Sequence, residues 1–166
     1  MSHINKLDRK IVVGVLTVSD TRTVETDKGG ALVREYLSGA DAEIFEAGSV
    51  IVKDDVEEIR RAIDKMLASV DAIITTGGTG IAKRDITIEA VSPYFHKEIE
   101  GFGEIFRMLS FTEDIGSRSI LSRAAAGTTD NNRVIIALPG SSGAVKLAME
   151  RLVVPELVHI VSELNK

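Results

Sequence analysis

The chain has 166 residues, 44% apolar and 27% charged, which is the usage of an ordinary globular protein rather than a disordered, collagenous or coiled-coil chain, and at about 150 residues per domain its length suits one domain. A net charge of −5, 4% aromatic residues and no tryptophan argue against a nucleic-acid binder, which needs basic surface or stacking platforms. No cysteine is present, which excludes disulfides, thiolate catalysis and cysteine-ligated metals, and the three histidines, His3, His96 and His159, lack metal-ligand spacing.

The first ten residues, MSHINKLDRK, are polar, and no apolar run reaches the roughly 18 residues of a membrane span. Residues 11–166 are therefore expected to form the domain behind a short polar segment, with the cytoplasm as its location and no membrane partner. Residues 11–18 are an apolar, valine-rich run that reads as a strand buried on both faces, which implies a parallel sheet. Residues 30–37 place Leu32 with Tyr36 and Val33 with Leu37 at helical spacing, and Ser38-Gly39 supplies a stop. A second strand is expected at 43–47. Val56, Ile59, Ile63, Met66 and Leu67 then mark one face of a helix that Asp54 or Asp55 can cap.

Residues 72–75 form a third apolar strand that runs directly into Gly77-Gly78-Thr79-Gly80. Residues 101–110 and 115–126 read as mostly helical, with Pro93 and the glycines blurring the boundaries. Residues 134–138 are another strand, ending in Pro139-Gly140-Ser141. Ala144, Val145, Ala148, Met149, Leu152 and Val153 follow as the apolar side of a helix that runs, bent at Pro155, to the C-terminus. This alternation predicts an α/β fold, a three-layer α/β/α sandwich with a mostly parallel central sheet.

In open α/β sheets ligands bind beyond the carboxyl ends of the strands. Four segments occupy such places: Ser19-Asp20-Thr21-Arg22, Val52-Lys53-Asp54-Asp55, TTGGTGIAKRD at 75–85, and Pro139-Gly140-Ser141-Ser142. Gly77, Gly78 and Gly80 could serve only a tight turn, or their amides could form a nest for an anion. A P-loop is absent, because the glycine spacing does not lead into Gly-Lys-Ser/Thr, and Lys83 stands where a dinucleotide fingerprint has its third glycine. Lys83 and Arg84 could neutralise phosphate, and Asp85 could hold Mg²⁺ or position a nucleophile; Asp85 could equally cap the next helix, for which Thr87 is a second candidate. Asp54 and Asp55 carry the same ambiguity between a cap and a hard-cation site. Pro139-Gly140-Ser141 opens a helix whose first amides could meet phosphate or simply be capped. The residues alone imply a binder of a phosphorylated small molecule or nucleotide with Mg²⁺.

VLTVSDTR at 15–22, TTGGTGIAKRDITIEA at 75–90, EGFGEIFRMLSF at 100–111, ILSRAAAG at 120–127 and ALPGSSGA at 137–144 together resemble the MoaB/MogA family of molybdenum cofactor biosynthesis. The EGFGEIFRMLSF stretch is closer to the MoaB branch. The resemblance spans nearly the whole chain. It implies a MogA-like fold and the adenylylation of molybdopterin by Mg-ATP with release of pyrophosphate, or a molybdopterin carrier without transfer chemistry. It also implies a homo-oligomer, trimer or hexamer, and a molybdenum insertase as a partner. By motif, Asp54 and Asp85 correspond to the family's two functional carboxylates, which organise Mg²⁺ and the reacting phosphates. Gly77, Gly78, Thr79 and Gly80 correspond to its ligand loop, Pro139, Gly140 and Ser141 to a second loop, and Ser19 and Asp20 to a third strand exit. Where the family often has Asp-x-Ser-Gly, this chain reads Asp27-Lys28-Gly29-Gly30, so one hydroxyl contact is lost. Phe102, Ile105, Phe106, Met108 and Leu109 are many large apolar groups for one helical face, as an oligomer interface would need, although the chain's own core could also take them.

Overall fold

The computed structural model describes residues 7–45 and 50–166. His3 and most of the polar N-terminal segment lie outside these residues, as do 46–47 of the expected second strand. Strand β1 (Ile11–Val18) alternates between two cores because successive side chains of a strand point to opposite faces. Ile11, Val13 and Val15 enter one core, and Leu16 and Val18 the other. Strands β4 (Ala72–Thr76) and β7 (Val134–Leu138) repeat the pattern, with Ile74 and Ile136 on the first face and Ile73 and Ile135 on the second. A strand buried on both sides must be covered on both sides, and the helices are distributed accordingly.

Over the first face lie helix α1 (Lys28–Ser38) and the long C-terminal run, α5 (Ser142–Ala148), a π-type turn (Met149–Val153) and α6 (Val154–Leu164). Helices α2 (Val56–Leu67) and α3 (Thr87–Val91) cover the second. The π-type turn sits just before Pro155, which has no amide to donate and whose ring crowds the carbonyl four residues back. The bend expected at Pro155 thus takes the form of a locally widened helix.

Strands β2 (Ala42–Ile44) and β3 (Val50–Val52) pair in parallel with different stretches of β1, and the sheet continues β1-β4-β7 in parallel and then β6-β5 in antiparallel sense. Strands β5 (Lys97–Glu98) and β6 (Ala125–Thr128) flank helix α4 (Glu100–Glu113). The fold is therefore the expected α/β/α sandwich with a mostly parallel sheet.

Residues 115–126 are not mostly helical: Gly116, at φ +65°, opens a 3₁₀ turn over Gly116–Leu121, and Ala125 begins β6. The alanines favour a helix locally, but pairing with β7 overrides that weak preference. Gly127 is required there because a Cβ would lie 2.3 Å from the Phe95 ring. Among the described residues no helix is long and apolar enough to cross a membrane.

Candidate functional site

Parallel β1, β3, β4 and β7 deliver the segments beginning at Ser19, Lys53, Gly77 and Pro139 to one end of the sheet. Gly77 has φ +94°, and a Cβ there would lie 2.3 Å from the Val18 carbonyl; its own amide donates to the Leu138 carbonyl at 2.9 Å. Gly78 has φ +70°, and a Cβ there would meet the Thr87 hydroxyl at 2.1 Å and Asp54 Oδ1 at 3.4 Å. Both conformations favour glycine. Gly140 completes the junction, since its Cβ would stand 3.3 Å from Gly77 Cα. The glycines thus let three strand exits pack backbone against backbone, with the start of α2 alongside.

The acidic residues converge on the same junction. The Asp54 amide donates to Asp20 Oδ1 at 3.0 Å. Burial pushes the Asp54 carboxyl above the usual aspartate range, and the charges of Asp20 and Asp85 push the same way against the opposing effect of Arg84. Four residues from three strand exits are therefore within electrostatic reach of one another. Asp55 is the one that caps α2, accepting from the Glu58 amide at 3.3 Å, so Asp54 is left free of that duty.

Asp85 is partly engaged by its own loop, where Oδ2 accepts from the Ala82 amide at 2.9 Å. Thr87 is the first residue of α3 rather than its cap, a place taken by Ile86, and its hydroxyl donates to the Gly77 carbonyl at 2.8 Å. Thr79 is buried, while Lys83 and Arg84 are exposed. Ser19 Oγ accepts from the amides of Thr21 and Arg22, and Ser141 Oγ caps α5 by accepting from Ala144 at 3.3 Å. Those two side chains shape their turns. A recess of 460 Å³ lined by Ile81, Lys83, Asp85, Ile86, Glu89 and Arg123 opens on one side, and one of 480 Å³ that includes Ser19, Asp20, Arg22 and Lys53 on the other.

Three contributors escape sequence reasoning. Asp27 is buried beneath the junction, accepting from Thr17 Oγ1 at 2.6 Å and from the Gly30 amide at 2.9 Å, so it is the α1 cap. Its signal was present as an aspartate three residues before Gly30. Arg123 and Glu89 form a bidentate ion pair across the glycine loop. Arg123 lies within a recognisable motif, but nothing in a stretch that reads as helix aims it at the loop. Among the described residues no three acidic or histidine side chains are arranged to hold a metal by themselves. Carboxylates of Asp54 and Asp85 are nevertheless the hard oxygen donors that suit Mg²⁺, which usually keeps waters and substrate phosphate oxygens in its shell.

Residues 14–159 match the family described as a probable molybdopterin binding domain. Molybdenum cofactor biosynthesis protein B of Staphylococcus carnosus (strain TM300) is 59% identical over 166 residues, covering 99% of this chain and 97% of that one. The protein of the same name from Staphylococcus aureus (strain COL) is 57% identical over 162 residues, with 97% and 96% covered. A crystal structure of a molybdenum cofactor biosynthesis protein B superposes with a TM-score of 0.90 at 50% identity, covering 96% of this chain and 99% of that one. The tungsten cofactor synthesizing protein MoaB from Pyrococcus furiosus follows at 0.84 and 38%, with 96% and 100% covered. These similarities extend over the whole sheet and every strand exit just described, and the chain belongs to the MoaB/MogA family of molybdenum cofactor biosynthesis proteins, on its MoaB branch.

Proposed function

We propose that this protein transfers AMP from ATP to the terminal phosphate of molybdopterin. The observation that carries the reading is the crowding of Asp54 by Asp20 and Asp85 against a glycine junction in which three strand exits pack backbone against backbone. In the reaction a phosphate oxygen of molybdopterin attacks the α-phosphorus of ATP, the bond from that phosphorus to the β-phosphate bridging oxygen breaks, and pyrophosphate leaves. The nucleophile is already ionised near neutral pH, so repulsion between phosphates is the main barrier and no histidine base or covalent nucleophile is required.

Catalysis then rests on positioning and on preorganised charge. The amides of Gly78 and Gly80 and the opening turn at Pro139, Gly140 and Ser141 cradle phosphate or pterin; Gly77, whose amide is bonded to the Leu138 carbonyl, shapes the turn, with Ser19, Asp20 and Thr79 shaping the walls. Lys83 and Arg84 supply exposed positive charge at the rim. Asp54 and Asp85 would hold Mg²⁺, and the bound cation would offset negative charge on the ATP phosphates. A cation there also relieves the repulsion that Asp54 experiences.

One observation favours a second reading, a molybdopterin carrier without transfer chemistry: the hydrogen bond from the Ala82 amide gives Asp85 a purely local role in its loop. Turnover by the wild-type protein separates the two, and the part of Asp85 in it is tested by Asp85→Asn. It retains size and most hydrogen-bonding capacity but removes charge, so ligand binding should largely survive while turnover falls by roughly a hundredfold or more. Asp54→Asn should behave alike, and Asp55→Asn should cost little. Wild-type turnover in Asp85→Asn at saturating Mg-ATP and molybdopterin would reduce Asp85 to a loop cap and move the reaction centre elsewhere. The product would pass to a molybdenum insertase, and the protein acts as a trimer or hexamer built on the apolar face of α4.

A further inference from the structure

We infer that Arg123 is a positioning residue that sets the shape of the glycine loop and thereby the placement of Asp85; this role rests on the adenylylation reading above. Arg123 reaches the loop from the segment between the 3₁₀ turn and β6, far away in sequence. Its backbone amide donates to the Thr79 carbonyl at 3.0 Å, Nε to the Gly80 carbonyl at 2.9 Å, and Nη2 to the Asp85 carbonyl at 3.0 Å. The remaining guanidinium donors pair with both oxygens of Glu89, with Nη2 to Oε1 at 3.1 Å. One planar group thus ties the entry of the loop, its exit and the helix that follows.

Thr87 closes the foot of the loop, its amide donating to the Gly78 carbonyl at 3.0 Å and its hydroxyl to the Gly77 carbonyl at 2.8 Å, and leaves the stretch from Thr79 to Asp85 to be held from elsewhere. The tip of the loop is exposed at Ile81, Ala82, Lys83 and Arg84, and its glycine at position 80 adds backbone freedom. The internal Asp85–Ala82 hydrogen bonds join residues three apart and do not bind Asp85 back to Thr79 or Gly80. Arg123 does, and only a rigid fork with several donors can satisfy two carbonyls and a carboxylate together. A lysine retains charge but offers one nitrogen in place of the fork. The arginine is committed to these partners, so its effect on a ligand passes through the loop.

Steady-state kinetics of Arg123→Ala and Arg123→Lys, with and without Asp85→Asn, test the role. The fold should persist in both single variants, and should the alanine variant not fold, the lysine variant carries the test. Expected is a loss in kcat on the order of a hundredfold for alanine, the scale of a modest misplacement of a reacting group, with KM for ATP within about threefold of wild type and lysine recovering little. In the Asp85→Asn background the same change should cost less than about threefold, because residues acting through one another are not additive. Arg151→Ala, which breaks an exposed ion pair with Glu113, serves as the control and should leave turnover unchanged. An unaffected kcat in a folded variant, a loss confined to KM, or fully additive losses would overturn the positioning role alone. Absence of turnover in the wild-type protein would overturn the adenylylation reading, and this role with it.

Discussion

Asp54 carries a cost that its neighbours impose. Its pKa is raised by burial and by Asp20 and Asp85, so ionisation of this group favours the unfolded chain. The associated stability is fully present below the ordinary aspartate pKa of about 3.9 and is lost as pH rises through the elevated folded value. Without divalent cation, Asp54→Asn should therefore melt above wild type at pH 7, with the difference vanishing below pH of about 3.5. Added Mg²⁺ should raise the melting temperature of wild type more than that of the variant. Equal melting at both pH values, with and without Mg²⁺, would show that Asp54 is neither strained nor a cation site. At this scale the sequence was legible where residue type dictates chemistry, as in the glycine cluster and its flanking acids. It was silent on Arg123, because a long side chain's target depends on where the chain folds back, and by residue type and spacing it left Asp54 and Asp55 interchangeable, the family resemblance alone favouring Asp54 as the functional carboxylate, until the helix geometry chose Asp55 as the cap.

Elements were readable where hydrophobic period and burial agree. Strands β1, β4 and β7 are apolar runs because they are covered on both faces, and α2 shows its buried side in Ile59, Ile63 and Met66. Strand β6 was hidden by alanines whose local preference is helical, and β5 by being two residues long. The start of β1 is held by an element-level device. Arg9 makes two hydrogen bonds of 2.8 Å to Asp71, at the head of β4, and the Val12 amide adds another of 2.8 Å. Burial alone would raise the Asp71 pKa, but Arg9, the Val12 amide and Arg133 outweigh it and hold the carboxyl below its usual range. Its contribution to stability is present above the unfolded pKa and lost as pH falls through the lowered folded value. Denaturant unfolding should show Asp71→Asn weaker than wild type by about 1–2 kcal/mol at pH 7, since half of the pair is exposed and the rest is a buried charged hydrogen bond. The gap should narrow in acid. A gap that stays constant down to pH of about 2 would mean that shape rather than charge holds the strand.

At the scale of the molecule, the apolar residues clustered in α4 divide between two uses. Phe106 is buried in the first core with Phe102 stacked on it, ring centroids 6.3 Å apart, whereas Ile105, Met108 and Phe111 are exposed, and Met108 and Phe111 line a recess with Ile120 of the 3₁₀ turn. Exposed large apolar side chains on one helix and the turn beside it are the expected face of an oligomer. Light scattering at micromolar concentration should give a trimer or hexamer, and Met108→Glu should lower the mass; a wild-type monomer would refute the assembly. The central claim, that the strand exits gather a nucleotidyl-transfer site rather than a storage site, is tested most directly by incubating purified protein with molybdopterin and Mg-ATP and quantifying both products. Adenylylated molybdopterin and pyrophosphate should accumulate in equal amounts over many turnovers. Tight binding of molybdopterin with neither product, across a range of pH and divalent cation concentration, would contradict the transfer chemistry and leave a carrier.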